Sequence, residues 1–294
     1  MKTRIQFLLL AVSLAALPVV LPAQPSAQYV PGSEGIKGAS LPPPGVYARD
    51  YNYFYWAGQF NDPSGNNAHV PNADVFTYAN IPRVIWITDT KFLGAYVGVD
   101  ALLPLVDQHV RAGAFDGTTF GIGDFFGEGT LSWHLKQFDF AVGSGVWAPT
   151  GDSAPQPTTR IGVGYWTFMQ TAGATWYIDE GKTWAVSALN RYEFNTDQRD
   201  MHFIPGQAYT LEWGVSKTVA KVVDLGAVGY YQQQVNPNSG TSWSSRSRVA
   251  AVGPEVNVAF PKQMFFVSLR YNYEFMAENR AQGNAITLTL TKRF

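Results

Sequence analysis

The sequence has no cysteine, few charges and no long apolar run beyond its first residues, and each shortage removes a class of answer. Without cysteine there is no disulfide framework, no Cys-based zinc site and no lipidated N-terminal cysteine. Charged residues make up only 15% of the chain and nearly cancel, to a formal net charge of -1, so no global field draws it to nucleic acid. Past residue 27 no uncharged apolar stretch reaches the roughly 18 residues of a membrane-spanning helix. There is no G-x-x-x-x-G-K-[ST] phosphate loop, and the histidines His69, His109, His134 and His202 lack a metal spacing such as H-E-x-x-H. No cofactor is expected.

What the chain does have is 19 Phe, 15 Tyr and 9 Trp, too many for a disordered polymer, beside 28 Gly, at a mean hydropathy typical of a soluble protein. A length of 294 residues suggests one or two domains.

Lys2 and Arg4 precede an apolar run from Ile5 to Leu21, interrupted by Gln6, Ser13 and Pro18 and followed by Ala23 and Ala27. A basic start, a short apolar centre and small residues describe a secretory signal peptide over 1–27, cut after Ala23 or Ala27. The mature chain is then exported.

Beyond it the dominant period is two. Phe265, Val267, Leu269, Tyr271, Tyr273 and Phe275 alternate with Ser268, Arg270, Asn272 and Glu274. Ile286, Leu288 and Leu290 alternate with Thr287, Thr289 and Thr291. One apolar and one polar face at 180° per residue is the pattern of a half-buried strand. About twelve such segments are expected, near 45–60, 74–91, 93–109, 117–135, 137–149, 159–179, 181–196, 206–219, 221–235, 243–260, 263–278 and 283–294.

Their connections alternate in length. Short links fall near Lys91-Phe92, Lys136-Gln137, Glu180-Gly181, Ala220-Lys221 and Pro261-Lys262, with longer polar ones at Asn61–Ala73, Gly151–Thr158, Thr196–Pro205 and Asn236–Ser242 between them. A transmembrane β-barrel has tight periplasmic turns and longer outer loops, and an even strand number returns both ends to one side. Lipid demands a closed ladder, because an open edge leaves backbone groups unpaired. The expected fold is therefore all-β, a transmembrane antiparallel β-barrel of about twelve strands over 45–294, in the outer membrane and in contact with its lipid. Trp86, Trp133, Trp147, Trp166, Trp176, Trp184 and Trp213 are expected in interfacial girdles. Phe294 ends the last strand and resembles the signal read by the barrel assembly machinery.

Several motifs carry a family resemblance: Leu41-Pro42-Pro43-Pro44-Gly45-Val46-Tyr47, Gly121-Ile122-Gly123-Asp124 followed by Leu131-Ser132-Trp133, Val146-Trp147-Ala148-Pro149-Thr150-Gly151-Asp152, and Tyr192-Glu193-Phe194-Asn195. In order and spacing they resemble a family of bacterial outer-membrane proteins named after the meta-pathway of phenol degradation, over Gly38 to Phe294. The resemblance implies an outer-membrane barrel with a proposed role in uptake of hydrophobic or aromatic compounds, and it transfers no catalytic motif.

With the apolar parity on lipid, Arg191, Glu193, Glu212, Asp224, Glu255, Asn257, Arg270, Asn272 and Glu274 point into the lumen as pore-lining candidates. Charges at mid-barrel need partners or water, so they form either a stabilising network or a selectivity lining. Ser132 and His134 share one parity, the minimum for a lipid hydrolase, but they turn inward near a periplasmic turn, away from surface lipid. The Pro- and Gly-rich residues 28–44 are an extended periplasmic lead or a lumen plug, and the lead is the simpler expectation. The function expected is a channel for passive uptake of small hydrophobic or aromatic molecules; the competing class is a structural or adhesin-like barrel without transport.

Overall fold

In the computed structural model of the protein, residues 27–151, 161–199, 202–241 and 245–294 are described. Residues 1–26 of the expected signal peptide lie outside them, as does most of the expected link Gly151–Thr158.

The regular secondary structure of the described residues is β-strand apart from one 3-10 turn, Pro261–Gln263. The strands are β1 (Gly45–Asn61), β2 (Asp74–Phe92), β3 (Ala95–Leu102), β4 (Leu105–Ala112), β5 (Phe115–Ile122), β6 (Phe125–His134) and β7 (Phe138–Ala148). There follow β8 (Thr167–Tyr177), β9 (Trp184–Asn195), β10 (Ala208–Thr218), β11 (Val223–Gln234), β12 (Arg248–Phe260), β13 (Phe265–Glu278) and β14 (Arg280–Arg293). All pairings are antiparallel, and β1 bonds to both β2 and β14, so the sheet closes. Twelve strands make the ring, in the order β1-β2-β3-β6 and onward through β14.

The other two, β4 and β5, are upper continuations. The expected segments 93–109 and 117–135 are each interrupted, at Leu103-Pro104 and at Gly123-Asp124, and the two breaks face each other. Pro104 has no N–H to give the ladder. Its carbonyl instead accepts from Gly123 N–H at 2.7 Å. Below the break β3 pairs with β2 and β6; above it β4 pairs with β2 and β5. Two other boundaries differ from expectation: β8 starts at Thr167 rather than near 159, and β13 turns into β14 through Asn279 alone. That residue adopts a positive φ of 55°, as asparagine tolerates in a tight turn.

The exposed face carries the lipid belt. On β9, Trp184 and Phe194 face outward near the two ends, ten residues apart. At about 3.3 Å per residue and a tilt of about 40°, this spans roughly 25 Å, the height of an outer-membrane apolar band. Trp86, Trp166, Trp176 and Trp184 are exposed, as a girdle requires. Trp147 is not part of it: at 6% exposure it points inward and packs on Phe126, ring centroids 4.6 Å apart. The reason is strand parity, since Asp139, Ala141 and Gly145 of β7 face the same buried side.

The periplasmic turn between β8 and β9 is pinned by Asp179, which accepts Trp184 N–H at 2.7 Å, Thr183 Oγ1–H at 2.8 Å and Thr183 N–H at 3.1 Å. The Trp184 amide above all, with those of Thr183 behind it, holds this carboxyl at about 2, below its usual 3.8. A lowered carboxyl pKa gives stability that is complete above the unfolded value and lost as pH falls through the folded one. The protection of the Thr183 and Trp184 amides against exchange, taken relative to the intrinsic rate at each pH, should therefore be full above about pH 4 and fall towards pH 2. Asp179→Asn should remove that pH dependence.

Candidate functional site

Residues 27–44 lie inside the ring, and their backbone is bound by wall side chains far away in sequence. Gln28 N–H and Tyr29 N–H both donate to Glu193 Oε1 at 3.0 Å, Glu34 N–H donates to Glu212 Oε1 at 3.0 Å, and Ile36 N–H donates to Glu255 Oε2 at 2.8 Å. In the other direction, Gln232 Nε2–H donates to Tyr29 O at 2.9 Å, and the Arg270 guanidinium donates to Gly32 O. A segment without helix or strand has backbone groups to satisfy, and here the barrel wall satisfies them with charged and amide side chains.

Side chains complete the fastening. Tyr29 O–H donates to Glu212 Oε2 at 2.8 Å while its ring lies 4.0 Å from the Arg191 guanidinium carbon. Glu34 accepts from Tyr51 O–H at 2.7 Å and pairs with Arg49 and Arg83, each at 3.3 Å. Lys37 pairs with Asp224 at 2.9 Å, and Gln28 Nε2–H reaches Asp124 at 2.7 Å. Asp124, at the break between β5 and β6, also accepts the N–H groups of Gly151 and Val163 at 2.8 and 3.0 Å. One carboxylate thus ties the start of the inner segment to the outer loop.

Two glycines make the fit possible. Gly32 has φ +81°, and a Cβ there would meet the Tyr230 ring at 2.9 Å; a Cβ on Gly35 would sit 1.9 Å from Glu255 Oε2. Larger residues at either place would push the segment off the wall.

The nine pore-lining candidates are therefore brought to one interior. Arg191 pairs with Glu212 and Arg270 pairs with Glu255, across neighbouring strands and almost wholly buried. Glu274 accepts from Tyr55 O–H and Tyr230 O–H at 2.9 Å and from Gly283 N–H at 2.7 Å. Asp224 holds Lys37. Asn257 lines a cavity at the periplasmic end. Asn272 is 1% exposed, and neither amide atom has a hydrogen-bond partner. Seven of the nine make contacts that hold the interior together.

Sequence reasoning missed the opposite wall. Arg83 bridges Glu34 and Asp100, at 3.3 and 2.9 Å, with Glu128 at 3.8 Å. On β1 and β2 both faces carry apolar residues, since Ile81, Ile85 and Ile87 share the inner side with Arg83 while Val84 and Trp86 are exposed. Parity alone could not choose a side there. Charge could have, because Arg83 is the lone basic residue between Tyr78 and Ile87. The outer side of the same strands carries a hydrogen-bonded polar cluster: Asp50 accepts from Asn52 and Asn80, and Asn52 accepts from Tyr78 O–H, each at 2.8 Å.

Ser132 is buried, and its hydroxyl has no partner. His134 Nδ1 instead meets Asp139 Oδ1 at 3.1 Å, and the other Asp139 oxygen accepts from Tyr177 O–H at 2.8 Å. A nucleophile needs its base within hydrogen-bond reach, and this serine has none. Among the described residues no group of three or more His, Asp or Glu is placed to hold a metal.

Residues 57–290 match the family described as putative MetA-pathway of phenol degradation. The chain belongs to this family. Among solved structures it resembles an outer membrane channel of Pseudomonas putida F1, with 15% identity and a TM-score of 0.79 over 91% of this chain and all of that one. It also resembles the translocator domain of the Neisseria meningitidis autotransporter NalP, with 11% identity and a TM-score of 0.50 over 87% of this chain and 91% of that one. At such identities the likeness is one of fold. No curated protein matches it by sequence.

Proposed function

We propose that the protein is an outer-membrane channel for passive uptake of small hydrophobic or aromatic compounds, and that residues 28–44 are a plug narrowing its lumen. One observation carries the reading: between the inner segment and the wall of β12, β13, β14 and β1 there is a cavity of about 400 Å³ lined by both charged and apolar side chains. A barrel built only as a scaffold has no use for such a space, since filling it with side chains would stabilise the fold.

The membership of the phenol-degradation family supports an aromatic solute, and the exposed aromatic belt supports residence in lipid. Export through a cleaved signal peptide belongs to the same proposal. Phe294, exposed at the end of β14 with its N–H on Val46 O, is the surface we assign to the assembly machinery. With no nucleotide motif in the sequence, the driving force is the solute gradient alone.

The test is planar-bilayer conductance of the purified full chain, with and without an aromatic solute such as toluene, beside solute entry into liposomes. A small basal conductance that the solute reduces, together with toluene entry above that of protein-free liposomes, is expected. No conductance and no entry would leave the structural barrel as the answer.

A further inference from the structure

We propose that the periplasmic cavity is a binding site for a small anionic amphiphile, an aromatic carboxylate in its simplest form. This deepens the channel reading and rests on it for its biological sense, although binding can be tested without any transport.

The argument starts from charge. The cavity is lined by Arg49, Arg270 and Arg293 but only by Glu34 and Glu255. Both carboxylates are already engaged: Glu255 holds the Arg270 guanidinium, and Glu34 is held by Arg49, Arg83 and the Tyr51 hydroxyl. Arg293 is different. Its guanidinium donates to the Pro44 carbonyl at 2.8 Å and stands 5.8 Å from the centre of the Tyr47 ring. Among the described residues it has no carboxylate within salt-bridge distance. A guanidinium with a fixed position and free donors is suited to a planar carboxylate, which it meets with two parallel bonds.

The second observation is independent of charge. Thr289 lines the cavity, and its buried hydroxyl has no hydrogen-bond partner. Directly deeper on the same wall, the Thr287 hydroxyl and both amide atoms of Asn272 are also buried and unpaired. Buried polar groups are normally satisfied, so an unpaired hydroxyl in the cavity wall, with further unpaired groups behind it, marks space suited to a polar guest or water. Thr289 has both a donor and an acceptor to offer.

The rest of the lining supplies the apolar half. Pro42 and Pro43 of the inner segment line the cavity together with Met264 and Phe266, and Tyr47, whose hydroxyl donates to Pro43 O at 2.7 Å, stands beside the Arg293 guanidinium. A volume of about 400 Å³ holds one substituted aromatic ring with its carboxylate, at the small end of ligand pockets. A neutral ring alone would leave Arg293 unmatched, which is why the site discriminates acids from their uncharged analogues.

Titration calorimetry on the purified, folded full chain compares benzoate with benzyl alcohol, its neutral counterpart. Benzoate is expected to bind at least about tenfold more tightly, with the difference shrinking at high salt. Arg293→Gln should remove that advantage and leave benzyl alcohol unaffected; Arg293→Lys should restore part of it, and Thr289→Val should weaken benzoate without touching the charge. Equal binding of the two solutes by the wild type overturns the site, as does undiminished benzoate binding by both Arg293→Gln and Thr289→Val. A barrel that conducts but ignores benzoate sinks the site alone, whereas one that binds benzoate and never conducts sinks the channel and keeps the site.

Discussion

Deleting residues 28–41 should raise single-channel conductance several-fold while leaving a folded barrel. The deleted stretch contributes the Gln28, Tyr29, Glu34 and Ile36 amides, the Glu34 carboxylate and the Lys37 ammonium, all of which cross the lumen to the wall. A hydrogen bond to a charged group is worth roughly 1.5–3 kcal/mol. The net loss should fall well short of their sum, because water enters the emptied lumen and satisfies Glu193, Glu212 and Glu255 in turn. The wall's own pairs, Arg191 with Glu212 and Arg270 with Glu255, do not involve the segment and persist. The check is a bilayer recording beside a gel-shift melting curve; unchanged conductance would mean that the segment leaves the open pathway untouched.

The second large effect is expected at Glu212. Its carboxylate takes the Arg191 guanidinium, the Tyr29 hydroxyl and the Glu34 amide, and Arg191 is 5% exposed with one nitrogen already unpaired. Glu212→Ala strands that guanidinium in the interior, and breaking one side of a buried ion pair costs about 3–5 kcal/mol. Removing both sides, as Arg191→Met with Glu212→Leu, should recover most of the loss, since a well-packed apolar pair has no desolvation penalty to offset. Thermal unfolding of the three variants decides it. If the single variant melts like the wild type while ion selectivity changes, Glu212 acts as a selectivity lining rather than a fastening.

How far the sequence led can be judged on particular strands. On β13 the alternation from Val267 to Phe275 specifies both the strand and its sides, because Ser268, Arg270, Asn272 and Glu274 face inward and the residues between them are apolar or aromatic; only Phe266, at the periplasmic end, is an apolar residue on the inner side. On β1 and β2 the same reasoning was blind. There Tyr47, Tyr51, Ile81 and Ile85 fill the inside, and Asp50, Asn52 and Asn80 sit outside, where they hydrogen-bond to one another. Period two tells two faces apart but does not say which is wet when both carry apolar residues. Trp147 is a different case: residue type alone points it to the belt, whereas the parity it shares with Asp139, Ala141 and Gly145 turns it inward.

The breaks at Pro104 and Asp124 were legible only in part. Proline in a strand is a warning, but that its carbonyl would take Gly123 N–H is a matter of pairing between distant residues. The position of residues 27–44 is the least legible, since a Pro- and Gly-rich stretch has no periodicity and the wall groups that hold its backbone lie 150 or more residues away, as with Gln28 and Glu193. What could be read is the other half of the arrangement, inward charges of both signs that need partners or water.

The seam between β1 and β14 runs from Tyr47 opposite Arg293 to Asn61 opposite Arg280, with one register shift between Ala57 and Gln59, and it joins the first strand of the ring to the last. The segment that immediately precedes β1 rests against β9 to β13 and, through Glu34, against Arg49 and Tyr51 of β1 and Arg83 of β2. It therefore spans the ring from within, as a spoke joins opposite parts of a rim, so that the two sides of the seam are tied to each other by the lumen's contents as well as by the backbone ladder.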